Sequence, residues 1–183
     1  MRTSVIVSLA LTASVIACAS DQNKKLQDAY AQEAEYQRKS AEQSAESTKK
    51  AEVGAIDKQE DWAKQQAEAL PEGSKERAKT QAEVVADRQK YAADSETRLQ
   101  KINARLDETK QKMQLAPGRV SLSTMNKIDE ATRRSTSIAD EIRRLPQITP
   151  QGWSDETKRI DAQLDQIDKL VGDASSEVMS AMP

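Results

Sequence analysis

Histidine and phenylalanine are absent from this chain of 183 residues, and cysteine occurs once, at Cys18. Without histidine the chain lacks the commonest general base and the commonest metal ligand, and a single cysteine cannot form an internal disulfide. Glycine and proline number five each, which is too few to build the glycine-rich loops that hold phosphates. We therefore expect a protein that is not an enzyme and that holds no metal.

Neither basic nor acidic residues are in clear excess. The 28 basic and 30 acidic residues are interleaved and give a formal net charge of -2, so no polybasic block predicts a nucleic-acid partner. Charged residues make up 32% of the chain, and alanine, glutamine, glutamate and lysine are abundant. This composition is typical of long solvated helices, and it predicts an all-α fold.

The N-terminus contains the one continuous apolar run. Arg2 is the only charged residue before Asp21, and the twelve residues from Val5 to Ile16 are valine, isoleucine, leucine and alanine diluted by serine and threonine. A helix needs about 20 apolar residues to cross a bilayer, so this run is too short to span a membrane. Its length and the positive charge in front of it predict an export signal at residues 1–17.

The four residues Val15-Ile16-Ala17-Cys18 end this signal and resemble the lipobox of bacterial lipoproteins. The resemblance implies a thioether between diacylglycerol and the Cys18 sulfur, cleavage between Ala17 and Cys18, and an acyl chain such as palmitate on the new amino terminus. Two or three acyl chains anchor a protein stably in a membrane, whereas one does not. The alternative is an ordinary secretory signal with a chance cysteine. No other cofactor is expected.

The same resemblance predicts a location in the bacterial cell envelope. Ala19 and Ser20 follow the cysteine, and neither is the aspartate that retains enterobacterial lipoproteins in the inner membrane. This implies a lipid anchor in the outer membrane, facing the periplasm. The inner membrane and the cell surface remain alternatives.

Large apolar residues divide the remainder of the chain into two parts. Seven occur among the 65 residues 19–83, and 25 occur among the 100 residues 84–183, so the core must lie mainly in the second part. Residues 18–73 read as a lipidated, alanine-rich helical rod, with a flexible tether as the alternative. Steps of 3.6 residues from Leu26 predict its packing stripe: Tyr30, Ala34, Gln37, Ala41, Ser44, Thr48, Ala51, Ala55, Trp62 and Ala69.

Residues 74–172 carry three successive apolar stripes with helical spacing. They predict an antiparallel, coiled-coil-like bundle of three helices, because only mutual packing hides all three stripes. Breaks are expected at Pro71 to Gly73, at residues 116–119 and at Pro146 to Pro150, with Ser74 and Ser154 as N-caps. Gly172 should end the last helix and leave residues 173–183 as a tail, either a short turn or disordered. The stripes are Leu99, Ile102, Leu106 and Met113; Ile128, Ala131, Ser135, Ile138, Ile142 and Leu145; and Ile160, Leu164, Ile167 and Val171.

Two sets of side chains are candidates for a site. Tyr30, Tyr36 and Trp62 are aromatic residues on an otherwise polar segment, and aromatic residues are favoured at binding surfaces. They are predicted partner contacts, with packing against the bundle or another rod as the alternative. Asp161, Asp165 and Asp168 share one helix face and could collect Ca²⁺, but a rigid helix lacks the carbonyl ligands of a calcium loop, which favours a solvated face.

These patterns together predict a noncatalytic envelope lipoprotein that presents a helical bundle, at a distance from the membrane, to another envelope protein or to itself. The alternative is an inhibitor or an immunity-type helical binder that protects the cell from a toxin or a lytic enzyme. A net charge close to neutral gives little electrostatic attraction for a basic target of that kind.

Overall fold

The computed structural model describes the backbone of residues 4–182 and the side chains of residues 24–182. The predicted signal peptide, Ala17 and Cys18 lie outside the residues whose side chains are described. Within the described range the chain forms four α-helices and no strand, so the predicted all-α fold is confirmed. None of the helices in this range is long and apolar enough to cross a membrane. The helices are α1 (Ser4–Glu68), α2 (Glu72–Leu115), α3 (Leu122–Arg144) and α4 (Pro150–Ala181), with a 3₁₀ turn at Leu145–Gln147.

Helices α2, α3 and α4 form the predicted bundle, in which consecutive helices run antiparallel. Each contributes one row of aliphatic side chains at spacings of three and four residues, and the rows meet in a single buried core. The core is richest in α4, whose apolar row is completely inaccessible to solvent. Its main members are Leu99, Ile102 and Leu106 of α2, Ile128, Ile138 and Ile142 of α3, and Ile160, Leu164, Ile167 and Val171 of α4.

Helix α1 lies antiparallel along α2, on the side away from the bundle core. Ion pairs trace the register, since residue numbers fall along α2 as they rise along α1. Arg38 Nε lies 2.7 Å from Glu108 Oε2, Lys49 Nζ lies 3.0 Å from Asp94 Oδ1, and Lys64 Nζ lies 2.9 Å from Glu83 Oε1. From Arg38 to Lys64, α1 therefore packs along α2 as a helix. It also differs from a free-standing rod, because α2 accompanies it along most of its length.

The seam between α1 and α2 is built on small residues at intervals of eleven. Ala34, Ala45 and Ala67 are buried, and Ile56 occupies the intervening position half-buried. Eleven residues make three turns of about 3.67 residues each, so these positions stay on one side of a long helix. The predicted stripe stepped by 3.6 residues and was wrong except at Ala34. Leu26 and Tyr30 before it are exposed, and so are its other alanines: Ala41, Ala51, Ala55 and Ala69. Alanine occurs on every side of α1, so composition alone did not fix the phase of the seam.

The breaks between the helices lie where proline and glycine predicted them, but the two predicted N-caps, Ser74 and Ser154, are wrong. Helix α1 ends at Glu68 and α2 begins at Glu72, immediately after Pro71, so Ser74 is inside the helix rather than at its cap. Ser121 caps α3 by accepting a hydrogen bond from the Thr124 backbone N–H at 3.1 Å. Gly118 has a φ of 75°, which accounts for glycine in this turn.

Helix α4 is longer at both ends than the sequence predicted. It begins at Pro150 rather than after a Ser154 cap, because proline at the first helical position loses no hydrogen bond. It then continues through Gly172 to Ala181, where Ala174 and Val178 are completely buried. Burial of these side chains outweighs the cost of about 1 kcal/mol for glycine inside a helix. Residues 173–181 are thus part of the bundle and not a separate tail.

Truncation of Leu164 tests this core. Leu164→Ala should lower the free energy of unfolding by about 2–5 kcal/mol, because the side chain is completely buried and the truncation leaves a cavity. Leu122→Ala is the matched control, since Leu122 is 73% exposed and its truncation should change the same quantity by less than about 0.5 kcal/mol. Urea unfolding followed by circular dichroism measures both. Equal effects of the two substitutions would contradict the assigned core.

Candidate interaction surface

The paired helices α1 and α2 project beyond the bundle at the end where they join. Hydrogen bonds tie α2 to the α3–α4 connection and to α4 from Arg88 onward. Arg88 Nη1 donates to the Ile148 carbonyl at 2.7 Å, and the Tyr91 hydroxyl donates to the Thr157 carbonyl at 2.9 Å. In the described chain no hydrogen bond or ion pair joins residues 72–87 to α3 or α4. These 16 residues extend for roughly 24 Å at about 1.5 Å each. We refer to residues 56–87 as the hairpin tip.

One face of the hairpin tip carries a shallow apolar groove of about 590 Å³ between α1 and α2, referred to below as the tip groove. Trp62, Leu70 and Val85 line it and remain 62%, 44% and 46% exposed. Glutamines complete the rim, and the one charged residue in the lining is Glu60. The floor is made of small side chains, which let the two helices approach closely: Ala63, Ala67, Ala78, Ala82 and Ala86.

The opposite face of the hairpin tip is charged, and its charges are paired within the chain. Glu68 forms ion pairs with both Lys75 and Lys79, and Lys64 bridges Glu60 and Glu83 at 2.7 and 2.9 Å. Hydrogen bonds from Lys75 and then Lys79 hold the pKa of Glu68 below its usual value. The two faces of the tip therefore differ: one is covered by ion pairs, and the other is partly apolar and has Glu60 as the one charged residue in its lining.

Two of the three aromatic residues predicted as partner contacts lie far from the tip groove. Trp62, Tyr30 and Tyr36 are all exposed, at 62%, 52% and 73%, so none of them packs against the bundle. Tyr36 and Trp62 are separated by 26 residues of α1, or about 39 Å, and cannot contribute to one site. Only Trp62 joins a groove, and that groove is shared with α2.

Leu70 and Val85 are the groove residues that the sequence reasoning missed. Val85 follows Ala78 and Ala82 at helical spacing, which marks an apolar edge on α2. That spacing does not show which helix lies beside the edge. The pairing of α1 with α2 supplies the missing information, because it places the Trp62 and Val85 edges on the same groove.

The acidic row on α4 meets arginine side chains of α2. Arg98 forms an ion pair with Asp165 and lies 4.0 Å from Asp161, and Arg105 forms an ion pair with Asp168. All three aspartates remain substantially exposed, so these pairs contribute little to stability. Among residues with described side chains, no group of three or more potential ligands is arranged to hold a metal ion.

A second aromatic group closes the end of the bundle below the hairpin tip. Trp153 is half-buried, as expected for a residue at the bundle end, and packs edge to face with Tyr91 at a centroid distance of 5.7 Å. The Arg88 guanidinium carbon lies 4.9 Å from the centre of the Trp153 ring. Burial, and then the Asp161 carboxylate, raises the pKa of Tyr91 to about 12. This group fixes the point where the bundle ends and the tip begins.

Comparison of the chain with protein-family models, with curated proteins and with solved structures gives no match.

The raised pKa of Tyr91 predicts a specific pH dependence. The folded state holds the phenolic proton more tightly than the unfolded state, whose pKa is about 10, so this contribution is complete below pH 10 and is lost as pH rises toward 12. Wild type should exceed Tyr91→Phe in stability by about 1 kcal/mol at pH 8, since the phenylalanine cannot form the hydrogen bond that the Tyr91 hydroxyl donates to the Thr157 carbonyl. The difference should shrink at pH 11 in urea unfolding. A difference that grows with pH would contradict the assignment.

Proposed function

We propose that this chain is a noncatalytic lipoprotein of the bacterial cell envelope, anchored by acyl chains on Cys18, which presents a helical bundle and the hairpin tip to a protein partner. The observation that carries the proposal is the position of the single cysteine. It follows directly on the apolar run Val5 to Ile16 and completes the sequence Val15-Ile16-Ala17-Cys18. Ala19 and Ser20 support an outer-membrane location facing the periplasm.

The length of α1 supports a role in presentation at a distance. From Lys24 to Glu68 the helix covers about 66 Å at about 1.5 Å per residue. The tip groove lies at the end of α1 remote from Cys18, so an anchored molecule that stands upright holds the groove far from the membrane. A partly apolar surface in that position favours a protein partner in the envelope over the lipids of the anchoring membrane.

The electrostatics of the described side chains support a noncatalytic role. Active sites characteristically contain groups whose pKa is shifted by desolvation in a cleft. Here the carboxylates with a lowered pKa, such as Glu46 and Glu130, owe the shift first to hydrogen bonds from basic neighbours, Lys101 and Arg133 respectively. The pattern is that of solvated helix faces held by ion pairs.

Replacement of the cysteine tests the anchor. Cells that express the full chain and are fed labelled palmitate should incorporate the label into wild type and not into Cys18→Ser, because the serine hydroxyl cannot form the thioether. Wild type should sediment with membranes, and Cys18→Ser should remain as an uncleaved precursor. Autoradiography of immunoprecipitated protein measures incorporation.

Ala17→Trp provides the matched control. It retains the acylated sulfur but removes the small residue before the cleavage site, so it should give a labelled precursor of full length. Two results would contradict the lipoprotein assignment. One is incorporation of label into Cys18→Ser, and the other is a mature wild-type protein whose N-terminus, determined by mass spectrometry, is not residue 18.

A further inference from the structure

The hairpin tip lacks the packing layer that two-helix structures ordinarily need. A helix pair gains stability from an apolar face buried against further elements, whereas the contacts between α1 and α2 at the tip are made largely by alanines. Trp62, Leu70 and Val85 stand beside this alanine floor with about half of their surface in water. A large exposed apolar side chain beside a groove of small side chains is typical of a helix-packing surface. A side chain of another helix inserts into such a groove.

The chemistry of the tip groove restricts what can fill it. Its lining is apolar or glutamine except for Glu60, and Glu60 already bonds to Lys90 at 3.1 Å and to Lys64. A helix with a charged face would lose hydration here without gaining a partner. The occupant must therefore present an uncharged surface with apolar knobs, small residues and glutamines. The tip groove itself is such a surface.

The register of the hairpin makes this surface complementary to its own copy. The pairs Lys64–Glu83 and Asp57–Lys90 bracket Trp62 and Val85, and so place these two residues at the same height along the hairpin. A second copy related by a twofold axis parallel to the hairpin sets Trp62 of each chain over the alanines beside Val85 of the other. Self-complementarity of one patch is what a twofold interface requires. The result is a four-helix tip with both Cys18 ends pointing the same way.

The area of the patch also favours a partner anchored in the same membrane. The large exposed side chains of the groove are Trp62, Leu70 and Val85, a small patch beside the approximately 1,200 Å² buried in stable soluble complexes. Confinement to one surface offsets a small interface, because it raises the effective concentration of the partner to the millimolar range. A second copy of this chain meets that condition automatically.

We infer that the tip groove is a homodimerisation site, in which two parallel copies of the chain form a four-helix tip with Trp62 as the central contact. The parallel orientation rests on the proposed function, since it follows from the anchoring of both copies through Cys18.

Disulfide cross-linking between two differently tagged full-length chains tests the inference in cells. One chain carries Gln66→Cys and the other Gln81→Cys, two groove positions that the register places at the same height on α1 and α2. Mild oxidation should give a tagged heterodimer that needs both engineered cysteines. Lys64→Cys with Glu83→Cys, on the ion-paired face at nearly the same height, is the matched control and should give at least fivefold less product.

Trp62→Ala in the Gln66→Cys chain should reduce the heterodimer several-fold, whereas Tyr36→Ala, which removes an exposed aromatic residue outside the tip, should leave it unchanged. The inference is overturned by absence of the heterodimer, by equal yields on the two faces, or by cross-linking of the groove cysteines to a different protein.

Palmitate incorporation, measured on the same cells, separates this inference from the proposed function. A heterodimer without label supports the tip contact and removes the lipid anchor. Label without a heterodimer retains the anchor and overturns the dimer.

Discussion

Helix α2 must satisfy two interfaces of opposite character at once, and the rest of the structure depends on this constraint. One of its faces carries Leu99, Ile102 and Leu106 into the bundle core, where burial of large aliphatic side chains supplies most of the stability. Another face meets α1 through small residues and flanking ion pairs. The ion pairs that remain open to solvent, such as Lys49–Asp94 and Lys64–Glu83, set the register of α1 more than they stabilise it.

This division produces a molecule with graded stability. The bundle is held by a continuous core, whereas α1 is held by close approach over alanines, which bury little area per residue. From Arg88 toward the turn between α1 and α2 only the weaker interface continues, so the hairpin tip is far from the Cys18 end of α1 and has less packing support than the bundle. Trp153, packed against Tyr91 and Arg88, lies at this boundary between the two kinds of packing. That asymmetry supports the proposed dimer contact, since the apolar surface lies where the chain has no third layer of its own.

The sequence predicted the three-helix bundle, but it did not predict which helix packs against α1. Large residues at three- and four-residue spacing, such as Ile160, Leu164 and Ile167, define a face without ambiguity, and the structure buries them as predicted. Alanine occurs on every side of α1 and therefore identifies no single face. For that reason neither the residues of its seam nor its pairing with α2 could be derived from the sequence. The tip groove was missed for the same reason: Trp62 was visible as an exposed aromatic residue, but Val85 becomes its neighbour only through the pairing. Helix α4 continues past Gly172, where the sequence predicted its end, because burial of Val178 in the bundle outweighs the local tendency of glycine to end a helix.

The central claim, that α1 is held on α2 by a small-residue seam weaker than the bundle core, is tested most directly by hydrogen exchange on a matched pair of alanine substitutions. Ala45 is 4% exposed at the seam, and Ala51, less than two turns further along α1, is exposed. The account predicts that Ala45→Leu, measured by exchange mass spectrometry, removes protection from α1 while the peptides containing Leu164 keep theirs, and that Ala51→Leu changes neither. Equal protection of α1 in the two variants would contradict it, as would an α1 that exchanges at the unfolded rate in the unsubstituted protein.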